Sequence, residues 1–502
     1  MEGAVLAKYD FRSKQEYIYK TNKVREIVGA SEIITYAYRD FFEALKNKGI
    51  AVDSDKACSF EETPTPRYVN NPNTEFNPTF SDVLSGKIIY VGGGNLYILW
   101  KNEGLFKEAS GILCRMLREK TYGLSAVSGK APYSGNYETD MKALNDDFEV
   151  RKVMTPPFIP TAMLPFTEVD RRTSLPVAHK HGKEKNDPLL RENESLSEES
   201  YLKRKMYRAT HRGDPQLLDD IITEKGSESL LAVIYIDGNN MGNRVSAKMD
   251  GITDYKTGVE TIRKLSNSIQ EEFVSAPRKA IDEAAESDNN MKDKIRWIVS
   301  GGDEITLICN ARAALKIVGV YFNKLAETNN GQNTACAGIA VFHSHFPFCK
   351  AYEIAEQCCE NAKKKNRMNG SNNCLVDFQY IYSGVTGDLE SMRKLDGNKM
   401  ARPYLISGSA GLPLIRTDYI DRSKRLAPIG RASIKDLSSK LFDSDEEYSF
   451  EIERLNARDP KARLKNNPDD DKKYILDIAQ FYDVWFSKKA VPDMEEYYKD
   501  LF

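Results

Sequence analysis

LLAVIYIDGNNMGN (230–243) and KIRWIVSGGDEITLICN (294–310) decide the fold of this chain. Leu230–Ile236 is a continuous apolar run, as expected of a strand buried on both faces, and it ends in a glycine- and asparagine-rich loop. KIRWIVS reads as a second strand, GGDE as a tight turn and ITLICN as its hairpin partner. Asp237 thus falls at a strand end, and Asp303 and Glu304 fall in a hairpin turn.

Outward from these stretches, 255–285 has helical periodicity, ARAALKIVGVYFNKLAETNN (311–330) is an amphipathic helix and TACAGIAVF (334–342) a strand. FCKAYEIAEQCCENAKKKN (348–366) is a helix with a basic end, where cations suit the helix dipole. CLVDFQYI (374–381) is a last strand. The order β–α–β–β–α–β–α–β describes a ferredoxin-like core with an extension. The N-terminal part repeats it: AVLAKYDF (4–11), a helix over 22–48, GKIIYV–GGGN–LYILWK (86–101), the helix GLFKEASGILCRMLREK and the strand GLSAVSG. YVGGGNLYIL aligns with IVSGGDEITL, so one α/β unit is duplicated. We place the first copy at 1–152, a polar linker or mobile insertion at 153–228, the second copy at 229–380 and a mostly helical region at 381–502.

Two or three carboxylates at the ends of neighbouring strands suit nucleotidyl transfer. In that reaction an oxygen nucleophile attacks an α-phosphorus as pyrophosphate leaves, and divalent cations serve both oxygens. Asp237, Asp303 and Glu304 are the candidate catalytic and metal-binding acids. Gly238 and Gly242, flanking Asn239 and Asn240, let main-chain N–H groups approach phosphates. Ser300, Gly301 and Gly302 leave room for a nucleotide, and Lys363 and Lys364 offer charges to a triphosphate. Each tetrapeptide alone is also ordinary turn chemistry. Their joint occurrence at strand ends of one unit favours the functional reading. His343 and His345 read as turn residues, and the H-x-H of His179 and His181 lacks nearby cysteines.

Composition narrows the alternatives. Of 502 residues, 72 are Lys or Arg and 74 Asp or Glu, so no global field marks a nucleic-acid or membrane-surface binder. No run approaches a membrane span, the N-terminus lacks a signal-peptide pattern and the eight cysteines form no C-x-x-C pair. A cytoplasmic protein without disulfides is expected.

The motifs YIDGNNMG (235–242), SGGDE (300–304), AGIAVFHSHFP (337–347) and AYEIAEQCCENAKK (351–364) resemble the Cas10 (Cmr2/Csm1-type) proteins of type III CRISPR systems. YDFRSKQEYIYKTNKVREIVGAS (9–31) and GGGN (92–95) resemble the family's first palm. The resemblance implies an α+β fold with two palm domains related to nucleotidyl cyclases and GGDEF enzymes. It implies a catalytic second palm binding two Mg²⁺ or Mn²⁺ ions, and a first palm holding a second ATP through Asp10, Ser31, Gly93, Gly94 and Asn95. Asn95 aligns there with Asp303. The implied product is a linear or cyclic (oligo)adenylate messenger read by a cyclic-nucleotide-sensing effector. Implied partners are RNA or RAMP-type subunits. No His-Asp dipeptide occurs, so nuclease activity of the family's HD type is not expected, and VDRRTSLPVAH (169–179) lacks the family's zinc cysteines. Two other readings stay open: a non-catalytic RNA- or ribonucleoprotein-binding scaffold, and a GTP-using diguanylate cyclase.

Overall fold

The computed structural model describes residues 3–62, 66–156, 166–180, 187–191, 193–211, 220–224, 226, 229–382, 387–395, 397, 399–408, 411–458 and 468–502. The chain forms two compact units. The first comprises 1–217, 240–275 and 298–303; the second comprises 218–239, 276–297 and 304–502. Segments 240–275 and 298–303, which the sequence pattern assigns to the second repeat, therefore cluster with the first sheet.

The first unit is built on four strands in the order Gly86–Gly92, Asn95–Trp100, Val5–Arg12, Ser125–Pro132. This is the ferredoxin-like arrangement, with Val5–Arg12 central and antiparallel to both neighbours. Helix Val24–Asn47 forms because Ile27, Ala30, Ala37, Phe41 and Leu45 recur at helical spacing, and all are buried. Helix Glu103–Thr121 starts where Asn102 accepts the Leu105 N–H (2.9 Å), and helix Tyr137–Met154, which the sequence reading did not separate, where Asn136 accepts from Thr139 (3.1 Å).

Helix Tyr255–Gln270 packs on the strands of this unit. Its Arg263 is 1% exposed. The guanidinium donates to the carbonyls of Ile89 (2.7 Å), Ile88 (2.6 Å), Asn71 (3.0 Å) and Thr74 (3.2 Å). A buried cation is tolerated only with such saturation. The helix passes into a π-helical turn, Glu271–Ser275, before Ala276–Glu286.

The stretch read as a polar linker carries structure where it is described. Val177–Lys180 pairs with Ser195–Ser197, and helix Glu198–Thr210 lies against Val24–Asn47. The close approach needs Gly29, whose Cβ would overlap the Lys203 carbonyl. The segment's polarity is spent on buried ion pairs. Glu26 (0% exposed) binds Arg204 (3% exposed) at 2.8 Å, Arg204 and Arg172 share Glu194, and Lys203 binds Glu199 (2.8 Å) and the Tyr17 carbonyl (2.6 Å). A charged sequence reads as solvated unless its partners are known, and two of them here, Glu26 and Tyr17, lie over a hundred residues away.

The second sheet has the order Ile295–Gly301, Glu304–Asn310, Leu230–Gly238, Ala335–His343, Leu375–Tyr380, Tyr404–Leu405, and apart from 298–301 its strands belong to the second unit. Leu230–Gly238 is antiparallel to both neighbours, and Ala335–His343 runs parallel to Leu375–Tyr380. Helix Phe348–Met368 covers one face. Gly338, opposite Tyr235, permits this: a Cβ there would overlap the Ala355 carbonyl and stand 2.6 Å from the Cys359 nitrogen. Cys359 Sγ meets the Cys336 carbonyl at 3.2 Å. Beyond the sheet, Arg402 and Asp477, both fully buried, tie helix Pro468–Phe481 to the last strands, with Tyr404 donating to Asp477 (2.8 Å). The charged stretch 454–473 reads as an exposed loop in sequence, but 454–458 and 468–473 belong to helices Asp445–Arg458 and Pro468–Phe481, and 459–467 lie outside the described residues.

Gly338→Ala should cost at least about 1–3 kcal/mol in denaturant unfolding, because backbone must move to admit the methyl. Gly111→Ala, in a helix with open space around it, should be neutral or stabilising by up to about 1 kcal/mol. Arg204→Ala should cost about 3–5 kcal/mol by removing the main ion-pair partner of the buried Glu26.

Candidate nucleotidyl-transfer site

Asp237 is the penultimate residue of the central strand, directly opposite Glu304 on one neighbour and Cys336 on the other. Residues directly opposite in an antiparallel pair project from the same face, so the two carboxylates share one side of the sheet. Tyr235, two residues earlier on that face, meets Tyr352 edge-on. Its hydroxyl pKa is pushed far above 10 by burial and then by the charges of Glu304 and Asp237. Asp303 is the residue before Glu304, in the turn.

The covering helix adds a cation. Ala355, Cys359 and Lys363 form one stripe at i, i+4, i+8. The first two lie over Gly338, and the third reaches the strand end. Lys363 Nζ donates to Asp237 Oδ2 (2.6 Å) and to the Gly238 carbonyl (3.1 Å), with side chains 13% and 24% exposed. Burial lowers the Lys363 pKa, but the charge and hydrogen bond of Asp237 outweigh it and the net shift is upward. Lys364, next on the helix, is exposed.

The turns lie in the first unit. Gly302 has φ +67°, and its N–H donates to Gln270 Oε1 (2.8 Å). A Cβ on Gly302 would stand 3.6 Å from the Gly93 Cα, so the Gly302–Asp303 and Gly93–Gly94 turns abut. Gly93 and Gly94 have φ of +57° and +75°, as a two-residue hairpin turn requires. The strand bounds leave Gly93–Gly94 between Gly92 and Asn95, and Gly302–Asp303 between Gly301 and Glu304. Gly94 therefore corresponds to Asp303, and Asn95 to Glu304. The ladders agree: Tyr9 faces Leu96, which puts Asp10 opposite Asn95 one step on. The sequence alignment of Asn95 with Asp303 is off by one residue.

Asp10 is bonded by Lys14 Nζ (2.8 Å), and Tyr38 donates to the carbonyls of Tyr9 (2.9 Å) and Gly94 (3.0 Å). Asn95 donates to the Gly93 carbonyl (3.0 Å). Ser31 is buried in its helix, with its carbonyl bonded by Thr35 (3.0 Å), and makes no described hydrogen bond to Asp10 or the turn. Asn239 is held by Thr334 and Asn373 main chain (2.9 and 3.0 Å). Asn240 (φ +53°) opens helix Met241–Met249, which contains Gly242; Ser300 and Gly301 end their strand. Sequence reasoning missed Lys14, Tyr38 and Gln270. For Lys14 a signal existed, a lysine four residues after a strand-end aspartate; for the other two there was none.

Among the described residues, no group of three or more His, Cys, Asp and Glu side chains is arranged to hold a metal. Asp237 and Glu304 nevertheless supply the opposed oxygen donors that a hard cation takes together with waters and phosphates. His179 is bonded to Glu198 (2.8 Å) and stacked on Tyr201; His181 lies outside the described residues. A cavity of about 850 Å³ in the second unit, between helices Ala276–Glu286 and Ala314–Glu327 and the C-terminal segment, includes none of the site residues. No described helix is long and apolar enough to cross a membrane, and all eight cysteines are free.

The two sheets each carry the strand–hairpin arrangement read from the sequence, in a mixed α+β fold. Residues 230–372 match the family model of the Cas10/Cmr2 second palm domain. The fold is that of Csm1. A Csm1–Csm4 cassette in complex with cA4 superposes with TM-score 0.52 at 13% identity over 95% of this chain and 69% of that one. Csm1 in T. onnurineus gives 0.52 at 12% over 98% and 70%. A Csm1–Csm4 cassette in complex with pppApA gives 0.51 at 13% over 95% and 69%. No curated protein sequence matches the chain.

Lys363→Met should lower stability at pH 7 by about 1.5–3 kcal/mol, the value of a hydrogen bond to a charged group. With its folded pKa raised, Lys363 contributes fully below the ordinary value of 10.5 and loses its contribution as pH rises through the folded value. The gap between variant and wild type in urea titrations should therefore be constant from pH 7 to 10 and close above that.

Proposed function

We propose that the chain is a nucleotidyltransferase that joins or cyclises ATP into an (oligo)adenylate messenger, releasing pyrophosphate, in CRISPR-type antiviral signalling. One observation carries this reading: Asp237 and Glu304 oppose each other on one sheet face, with Asp303 in the adjoining turn. A ribose hydroxyl oxygen forms the new bond to the α-phosphorus, the bond to the pyrophosphate oxygen breaks and the hydroxyl proton passes to solvent.

Mg²⁺ or Mn²⁺, bound by Asp237, Asp303 and Glu304, would supply Lewis-acid charge at the phosphate. The chain's own residues do the rest. Lys363 fixes the rotamer of Asp237, and Gln270 fixes the Gly302–Asp303 turn. Gly93 and Gly302 remove side-chain bulk where the two turns meet, which suits one nucleotide at each. Adenine as the base follows the similar structures, which were solved as Csm1–Csm4 cassettes with cA4 and pppApA. Those cassettes also make a RAMP-type subunit the expected protein partner.

Incubation with ATP and Mg²⁺, followed by mass spectrometry, should yield adenylate oligomers and pyrophosphate, whereas GTP should yield little. Asp303→Ala and Asp237→Asn should each reduce product at least about 100-fold, on the scale of losing one electrostatic transition-state contact. Equal product from Asp303→Ala would remove the site assignment.

A further inference from the structure

The first palm places a lysine where the second places an acid. Gly94 occupies the turn position of Asp303, and a Cβ on Gly94 would stand 2.5 Å from Lys14 Nζ and 3.9 Å from Asp10 Oδ1. The ammonium thus fills the space in which a side chain at Gly94 would begin. It sits 2.8 Å from Asp10, the counterpart of Asp237. An ordinary i,i+4 surface pair is worth little and has no reason to sit at this point. Here the short helix after the strand delivers it to the turn, and Tyr38 pins the carbonyls of Tyr9 and Gly94 on either side.

The same residues are poor ligands for a divalent ion. A hard cation takes carboxylates with waters and phosphates. The first palm has one carboxylate, Asp10, where the second has Asp237, Glu304 opposite it and Asp303 in the turn, and the amide of Asn95 is turned to the Gly93 carbonyl. A lysine ammonium is by contrast a good point charge for phosphate oxygens. Lys14 is 31% exposed and Asp10 18%, so a ligand can reach both.

We infer that Lys14 takes the place of the metal in the first palm: its ammonium holds the triphosphate of a nucleotide at the Gly93–Gly94 turn, and this site binds a nucleoside triphosphate without a divalent cation. The inference rests on the proposed function and deepens it. Of the two nucleotides, one enters with its metal at Asp237 and Asp303, and the other is held by the chain alone.

Calorimetric titration of the full chain with an ATP analogue bridged by methylene between the α- and β-phosphates tests this. Wild type should bind two equivalents with Mg²⁺ and one in EDTA. Lys14→Ala should weaken the EDTA-resistant site on the order of tenfold to hundredfold, on the scale of a charged hydrogen bond, and leave the metal-dependent site in place. Lys14→Arg should largely restore it. Asp303→Ala should do the reverse, keeping the EDTA-resistant site and losing the other. Thermal melts confirm that each variant folds. Complete loss of wild-type binding in EDTA, or unchanged EDTA-resistant binding by Lys14→Ala, overturns the role of Lys14 while metal-dependent binding and ATP turnover keep the functional reading. Absence of binding under both conditions overturns both.

Discussion

The buried guanidinium of Arg263 is the constraint on which the first unit depends. It sits on a helix that the sequence assigns to the second repeat, and its hydrogen bonds end on four main-chain carbonyls of the first. Main-chain acceptors cannot drift without breaking strand or loop geometry, so they fix the helix more firmly than side chains would. Gln270, two turns on, receives the Gly302 N–H. The abutment of Gly302 and Gly93 is thus held by a chain of polar contacts, of which those of the buried Arg263 are the costliest to break.

In the second unit a missing atom plays the corresponding part. Gly338 lets a helix approach the sheet until Ala355 and Cys359 touch it. One turn further along the same stripe, that closeness brings Lys363 to Asp237. Packing therefore determines the electrostatics: an alanine at 338 would push the helix outward and separate the ion pair although neither partner had changed. The two palms meet the same problem, a carboxylate at a strand end, with lysines from different elements. One comes from the covering helix and the other from the short helix that follows the strand itself. Only in the second palm is the turn acid retained.

Much of this was legible in the sequence. Hairpins and central strands are continuous apolar runs bounded by glycine, and the repeat announced the duplicated topology. The one-residue misalignment of Asn95 arose because GGGN and GGDE match best letter by letter, whereas hairpin register is set by which residues close the turn. The structured insertion was hidden for a different reason. Its helix is charged throughout, and only the distant partners Glu26 and Tyr17 reveal that Lys203 and Arg204 are interior. Arg263 was invisible likewise, since its acceptors are main-chain atoms that any sequence would supply.

The proposed arrangement is one metal centre and one metal-free nucleotide site. The most direct measurement is anomalous diffraction from crystals grown with Mn²⁺ and an ATP analogue that resists α-phosphate transfer. Manganese peaks are expected at Asp237, Asp303 and Glu304 and none at Asp10, with Lys14 against the phosphates of the nucleotide at the Gly93–Gly94 turn. Manganese at Asp10 and Asn95, or a second palm that binds the analogue with no metal at Asp237, would contradict this arrangement.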